Sequence, residues 1–157
     1  MKSKILTLIT LVVACSVNAQ NIITTSFGDF QIEAADLHYQ TYKFNGKSLG
    51  YSEFLEVDGQ LLGMSNGSDY IVLRGVSGGS GCAEVLSIVK LSEGQAYFSP
   101  ALDACGGVDN VEFNNGVVTV TAFERDETTK VEYLVKDSKV LENGKNMLVK
   151  HNFFESY

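Results

Sequence analysis

The chain has 157 residues, a formal net charge of −7, three cysteines, two histidines and no tryptophan. That length admits one domain with its own core and leaves little room for a second. The acidic balance argues against nucleic-acid binding, which sets Lys and Arg against phosphates.

Lys2 and Lys4 precede an apolar run from Ile5 to Ala14, and Val17-Asn18-Ala19 follows. A basic start, a short apolar stretch and small residues at a cleavage point predict a secretory signal over 1–19. The run is too short for a membrane-spanning helix, which needs about 20 apolar residues. Val12-Val13-Ala14-Cys15 also resembles a bacterial lipobox. That alternative ends the leader at 14 and makes Cys15 a lipidated first residue, so that a lipid anchor is the only membrane contact expected. Residues 20–157 are then a single β-rich domain, exported to the periplasm or secreted, with a net charge near −9 once Lys2 and Lys4 are lost.

Along that domain, Gln31 to Gln40 offers a weak helical spacing through Ile32, Ala35 and Tyr39. Asn45-Gly46, Asp58-Gly59, Asn66-Gly67, Asn115-Gly116 and Asn143-Gly144 are hairpin-type dipeptides, whose residues accept the positive φ of tight primed turns. Ala83 to Leu91 is ambiguous: Val85, Ile88 and Val89 suit a helix, whereas its β-branched content suits a buried strand. A strand is favoured, because 83–91 and 95–99 can be hairpin arms about Glu93-Gly94. Cys82 and Cys105 then lie equally far from that turn and meet at its open end, so a disulfide is expected between them. Ser99-Pro100 reads as the capped start of a one-turn helix. Val118, Val120 and Ala122 alternate with Thr119 and Thr121, and Val131, Tyr133 and Val135 repeat the pattern. The fold class predicted is all-β, mainly antiparallel, as a single-domain sandwich or small barrel with one disulfide and at most one or two short helices.

The glycine-rich stretch Gly75 to Cys82 invites three chemistries. Gly75-Val76-Ser77-Gly78-Gly79 resembles the G-x-S-x-G elbow of α/β-hydrolases and the G-D-S-G-G of trypsin-like proteases, with Val76 in the Asp position. The first fold needs a longer chain and a better placed histidine than His151. The second needs two barrels, and His38 in "DLHYQ" has none of its surroundings. A phosphate cradle needs a following helix, and the Gly46 to Ser48 "GKS" lacks the upstream glycine at Thr41. Isolated histidines and the lack of calcium-loop or H-E-x-x-H spacing predict no metal and no cofactor. Asp103 and Asp109 flank Cys105, and Glu124, Asp126 and Glu127 read as an exposed hairpin end; neither group is marked as a catalytic pair. The ending "HNFFESY" places Phe153 and Tyr157 on one period-two face, as in outer-membrane barrels, but His151 and Glu155 interrupt it.

The leading expectation is therefore an exported, non-enzymatic protein-binding domain. In its specific form it is an inhibitor or immunity protein against a basic exported enzyme such as a lysozyme-like hydrolase. The contacts expected are the loop 76–81 and nearby acids, through Ser77, Gly78, Gly79, Ser80, Gly81 and Glu84. The profile is similar in type to the C-type lysozyme inhibitors of Gram-negative bacteria, which carry S-G-x-x-Y. Ser80-Gly81-Cys82-Ala83-Glu84 follows that spacing with Glu84 in place of Tyr. The alternatives are a small periplasmic hydrolase using Ser77 or a carboxylate pair, and an outer-membrane barrel.

Overall fold

The computed structural model describes residues 20–147 apart from positions 37, 79, 80, 83 and 138. The leader with Cys15, the C-terminal aromatic segment and His151 lie outside the described residues. Among those described, all regular structure is antiparallel strand. The strands form three meanders in chain order. The first sheet holds β1 (Gln20–Thr25), β2 (Gly28–Ala34), β3 (Gln40–Phe44) and β4 (Lys47–Ser52). The second holds β5 (Glu56–Ser65), β6 (Ser68–Val76), β7 (Glu84–Ser92) and β8 (Gln95–Phe98), with β9 (Leu102–Ala104) also on β7. The third holds β10 (Val108–Asn114), β11 (Val117–Phe123), β12 (Lys130–Lys136), β13 (Lys139–Glu142) and β14 (Lys145–Asn146). None of the sheets closes on itself, so the architecture is sandwich-like rather than a barrel.

The second sheet is the middle layer. Tyr70 and Val72 of β6, with Leu86 and Ile88 of β7, pack against Val118, Val120, Val131 and Tyr133 of the third sheet. The intervening Ile71, Leu73, Val89 and Leu91 pack against Ile23, Phe30, Ile32 and Tyr42 of the first. A strand covered on both faces needs apolar side chains at successive positions, whereas an outer strand needs them at every second one. That is why β7 reads as a near-continuous apolar run and imitates a helix. The outer strand β11 keeps strict alternation, with Val118, Val120 and Ala122 buried and the threonines between them only half-buried.

Several expectations require correction. The helical spacing over 31–40 belongs to β2, a turn and the start of β3; Ile32 is buried opposite Tyr42, while Ala35 and Tyr39 close the turn through an Ala35 N–H to Tyr39 carbonyl bond. Asp58-Gly59 is no turn. It lies inside β5, where a Cβ on Gly59 would come within 2.5 Å of Ile23 Cδ1 and 2.9 Å of Ile32 Cδ1. The Ile23 and Ile32 side chains of the first sheet fill the space beside the backbone there. Ser99-Pro100 starts no helix. The Ser99 hydroxyl accepts the Ile88 N–H at 2.9 Å and so replaces a ladder partner at a bulge between β8 and β9. Pro100, which has no N–H, is tolerated at that interruption. The pairing moves from Val89↔Phe98 to Leu86↔Leu102, one residue out of register. The other four Asn-Gly dipeptides are turns, with both residues at positive φ.

Polar links set the layers in register with one another. The buried Asp69 carboxylate of β6 accepts the Ser26 N–H and hydroxyl from the turn between β1 and β2. The buried Gln40 side chain donates to the Leu55 carbonyl at 3.0 Å, and the Tyr133 hydroxyl donates to the Asp103 carbonyl at 3.0 Å. Consequently the short connections 26–27, 45–46, 66–67, 93–94 and 115–116 lie at one end of the sandwich. The longer ones, 35–39, 53–55, 77–83, 105–107 and 124–129, lie at the other.

Burial also sets an alkaline limit. Desolvation pushes the Tyr42 hydroxyl up from 10.0 to about 12, with the Ser52 bond opposing it, and burial beside Glu142 and Asp103 raises Tyr133 as well. Both groups are neutral when protonated. The folded state therefore holds these protons more tightly than the unfolded chain above pH 10, and stability should fall as pH rises from 10 through about 12. Urea midpoints measured across that window should drop, and Tyr42→Phe should flatten the slope. A midpoint independent of pH there would contradict the buried hydroxyl.

Candidate functional site

The glycine-rich segment connects β6 to β7 at the end that carries the longer connections. Four contacts hold its described part. Cys82 is bonded to Cys105, which follows β9, so the expected disulfide is formed. Arg125, from the connection between β11 and β12, donates through Nη2 to the Gly81 carbonyl at 2.7 Å. Gly78 sits over Leu55 with φ +74, and a Cβ there would come within 2.8 Å of Leu55 Cδ1. Arg74 of β6 pairs with Glu84 at 3.6 Å where the loop enters β7.

The residues expected to bind thus divide into three groups. Ser77 and Gly81 are exposed on the loop, and Gly78 is half-buried. Glu84 is half-buried as the first residue of β7 and is engaged with Arg74. Gly79 and Ser80 lie outside the described residues. Among the described residues, the Ser77 hydroxyl makes no hydrogen bond to His38 or to a carboxylate, the relay that activates a serine nucleophile. Asp109 pairs with Lys130 at 2.7 Å, while Asp103 stands on β9 opposite Val85. The connection 124–129 is exposed, as expected. Within it, the Thr129 hydroxyl and the Thr128 and Thr129 N–H groups hold the Asp126 carboxyl down at about 2.

Electrostatically the two ends differ. Asp36, Glu53, Glu56, Glu124, Asp126 and Glu127 are exposed at the loop end, where Arg125, Arg74 and Lys130 are engaged by Gly81, Glu84 and Asp109. At the short-turn end Lys47, Lys136 and Lys139 offset Asp29, Glu93 and Asp137. Sequence reasoning missed Arg125 as the residue that braces the loop. Gly81 is 44 positions away, and only the stacking of the second and third sheets brings them together.

The fold and this end of it define a three-layer antiparallel β-sandwich with a disulfide-anchored acidic loop face. Comparison with protein-family models, with curated proteins and with solved structures returns no match for the chain.

Proposed function

We propose that the protein is an exported, non-enzymatic binding domain that captures a basic partner protein through its loop end. In its specific form it inhibits or neutralises a basic exported enzyme of the lysozyme-like hydrolase kind. The observation that carries this reading is the coincidence of three features at one end: the longer connections, the disulfide-anchored glycine loop and an excess of acids that form no ion pair among the described residues. A loop fixed before docking loses little conformational entropy on binding. A predominantly acidic rim steers an oppositely charged partner and orients it. The disulfide is consistent with an oxidising compartment.

The test is capture of a basic enzyme, with a C-type lysozyme as the first probe. Complex formation should weaken as salt rises, since contacts between exposed charges are screened. Gly81→Phe should reduce capture at least about tenfold, the effect of losing a central contact of about 1.4 kcal/mol. Among the described residues nothing lies within 4 Å of a Cβ added at Gly81, and an unchanged urea midpoint should show that the fold persists in this variant. Capture unaffected by both salt and Gly81→Phe would refute the reading.

A further inference from the structure

A strand at the edge of a sheet presents unpaired N–H and C=O groups that can template another strand. Among the described residues the three sheets have six edges: β1 and β4, β5 and the β8–β9 side, β10 and β14. Five of the six are interrupted. β4 carries a bulge at Leu49, β5 at Leu62 and β10 at Asp109, each the residue left over where the register shifts. Pro100 divides β8 from β9, and β14 has only two residues, one of them Lys145. Bulges, proline, lysine and shortness are the devices that keep edges from pairing.

β1 has none of them. It pairs one to one with β2 from Gln20↔Glu33 to Thr25↔Gly28 without a shift. Its sequence QNIITT holds no charge, no proline and no glycine, and ends in four successive β-branched residues. A six-residue run of that kind has the composition that favours strand-to-strand association. Among the described residues, no backbone bond from a strand other than β2 reaches it. Ile23 and Thr25 are buried beneath the sheet, whereas Ile22 is 49% exposed on its outer face.

An added strand must itself bring an open edge, and β1 is the open edge that the described residues offer. It is also uncharged, so two copies of this acidic chain can meet there without setting like charges against each other. We propose that the protein forms a two-fold dimer in which β1 pairs antiparallel with β1 of a second copy and joins the two four-stranded first sheets into one. Centred on Ile22, the pairing sets Ile22 opposite Ile22, Asn21 opposite Ile23 and Gln20 opposite Thr24. Every pair is uncharged, and the exposed isoleucine is covered. The contact uses up the open edge of both copies, so the assembly closes at two. It involves none of residues 76–81 and does not rest on the binding function proposed above.

The experiment is sedimentation equilibrium of the disulfide-bonded protein at concentrations up to about 1 mM. Monomer and dimer should exchange on dilution, because a six-residue strand pair buries less than the roughly 1,200 Å² of a stable interface. Ile22→Lys should weaken the dimer at least about tenfold, since it sets like charges opposite each other at the two-fold axis. The same change makes the chain less acidic, so long-range repulsion cannot account for the loss. An unchanged urea midpoint should show that the fold persists in this variant. Met64→Lys, on the bulged edge β5 where Met64 is 63% exposed, should leave the dimer as it is. Ile22→Cys should oxidise to a covalent dimer. Gln31→Cys, opposite Ile22 on β2, should not, because its counterpart would lie three strand spacings, about 14 Å, away. A monomer at every concentration, species larger than a dimer, a dimer that survives Ile22→Lys or is lost with Met64→Lys, or equal cross-linking of the two cysteine variants would each overturn the proposal.

Discussion

Gly106→Ala should destabilise the protein by at least about 3 kcal/mol, or prevent folding, because overpacking against backbone cannot relax by a rotamer change. Gly106 lies where the turn after β9 meets the connection between β11 and β12. A Cβ there would stand 2.1 Å from the Glu124 carbonyl oxygen, 2.9 Å from Phe123 Cβ and 3.1 Å from Glu127 Cα. The same turn is bonded to the third sheet. The Gly106 N–H donates to the Phe123 carbonyl at 2.8 Å, and the Phe123 N–H donates to the Gly107 carbonyl at 2.9 Å. Moving the turn aside to admit a methyl group would break both bonds. Gly81→Ala is the control, since among the described residues an added Cβ meets nothing within 4 Å. It should change stability by no more than about 0.5 kcal/mol. Urea unfolding of the two variants measures the contrast, and equal midpoints would show that the close approach at Gly106 is not rigid.

Removing the disulfide by Cys82→Ala with Cys105→Ala should cost roughly 3 kcal/mol. The bond closes a loop between residues separated by 23 positions, and the chain-entropy relation sets the scale from that length. The effect should be a lower urea midpoint with a somewhat steeper slope, because the unfolded chain without the bond exposes more surface. The functional consequence is expected at the loop end alone. Cys82 anchors the glycine loop to β9, so its removal leaves the Arg125 to Gly81 bond as the main brace. Protease cleavage within 77–83 should accelerate in the variant while the short-turn end keeps its protection in hydrogen exchange. An unchanged midpoint, or uniform loss of protection, would contradict this account.

How much of this was legible in the residues depends on whether a feature is local. The Asn-Gly turns were, because positive φ at two successive positions is a property of the dipeptide. The alternation in β11 and β12 was, because one face meets the core and the other does not. The pairing of Cys82 with Cys105 also followed from the sequence, because a hairpin about Glu93-Gly94 carries both cysteines to its open end despite the bulge at Ser99.

Features that needed a neighbouring layer were not. The helical look of 83–91 and the false turn at Asp58-Gly59 share one cause, the sheets pressed on the two faces of the middle one. The candidate site divides in the same way. The glycine loop stood out by composition, whereas the Arg125 brace did not, because it comes from a separate connection. The sequence by itself determined the strands, the tight turns, the disulfide and the acidic balance, since each depends on contacts within or between adjacent segments. Only the tertiary structure decided that three meanders stack, which sheet lies between the others, and that the longer connections gather at one end. Those outcomes depend on which apolar faces meet, and face-to-face packing carries no signature in the spacing of residues along the chain.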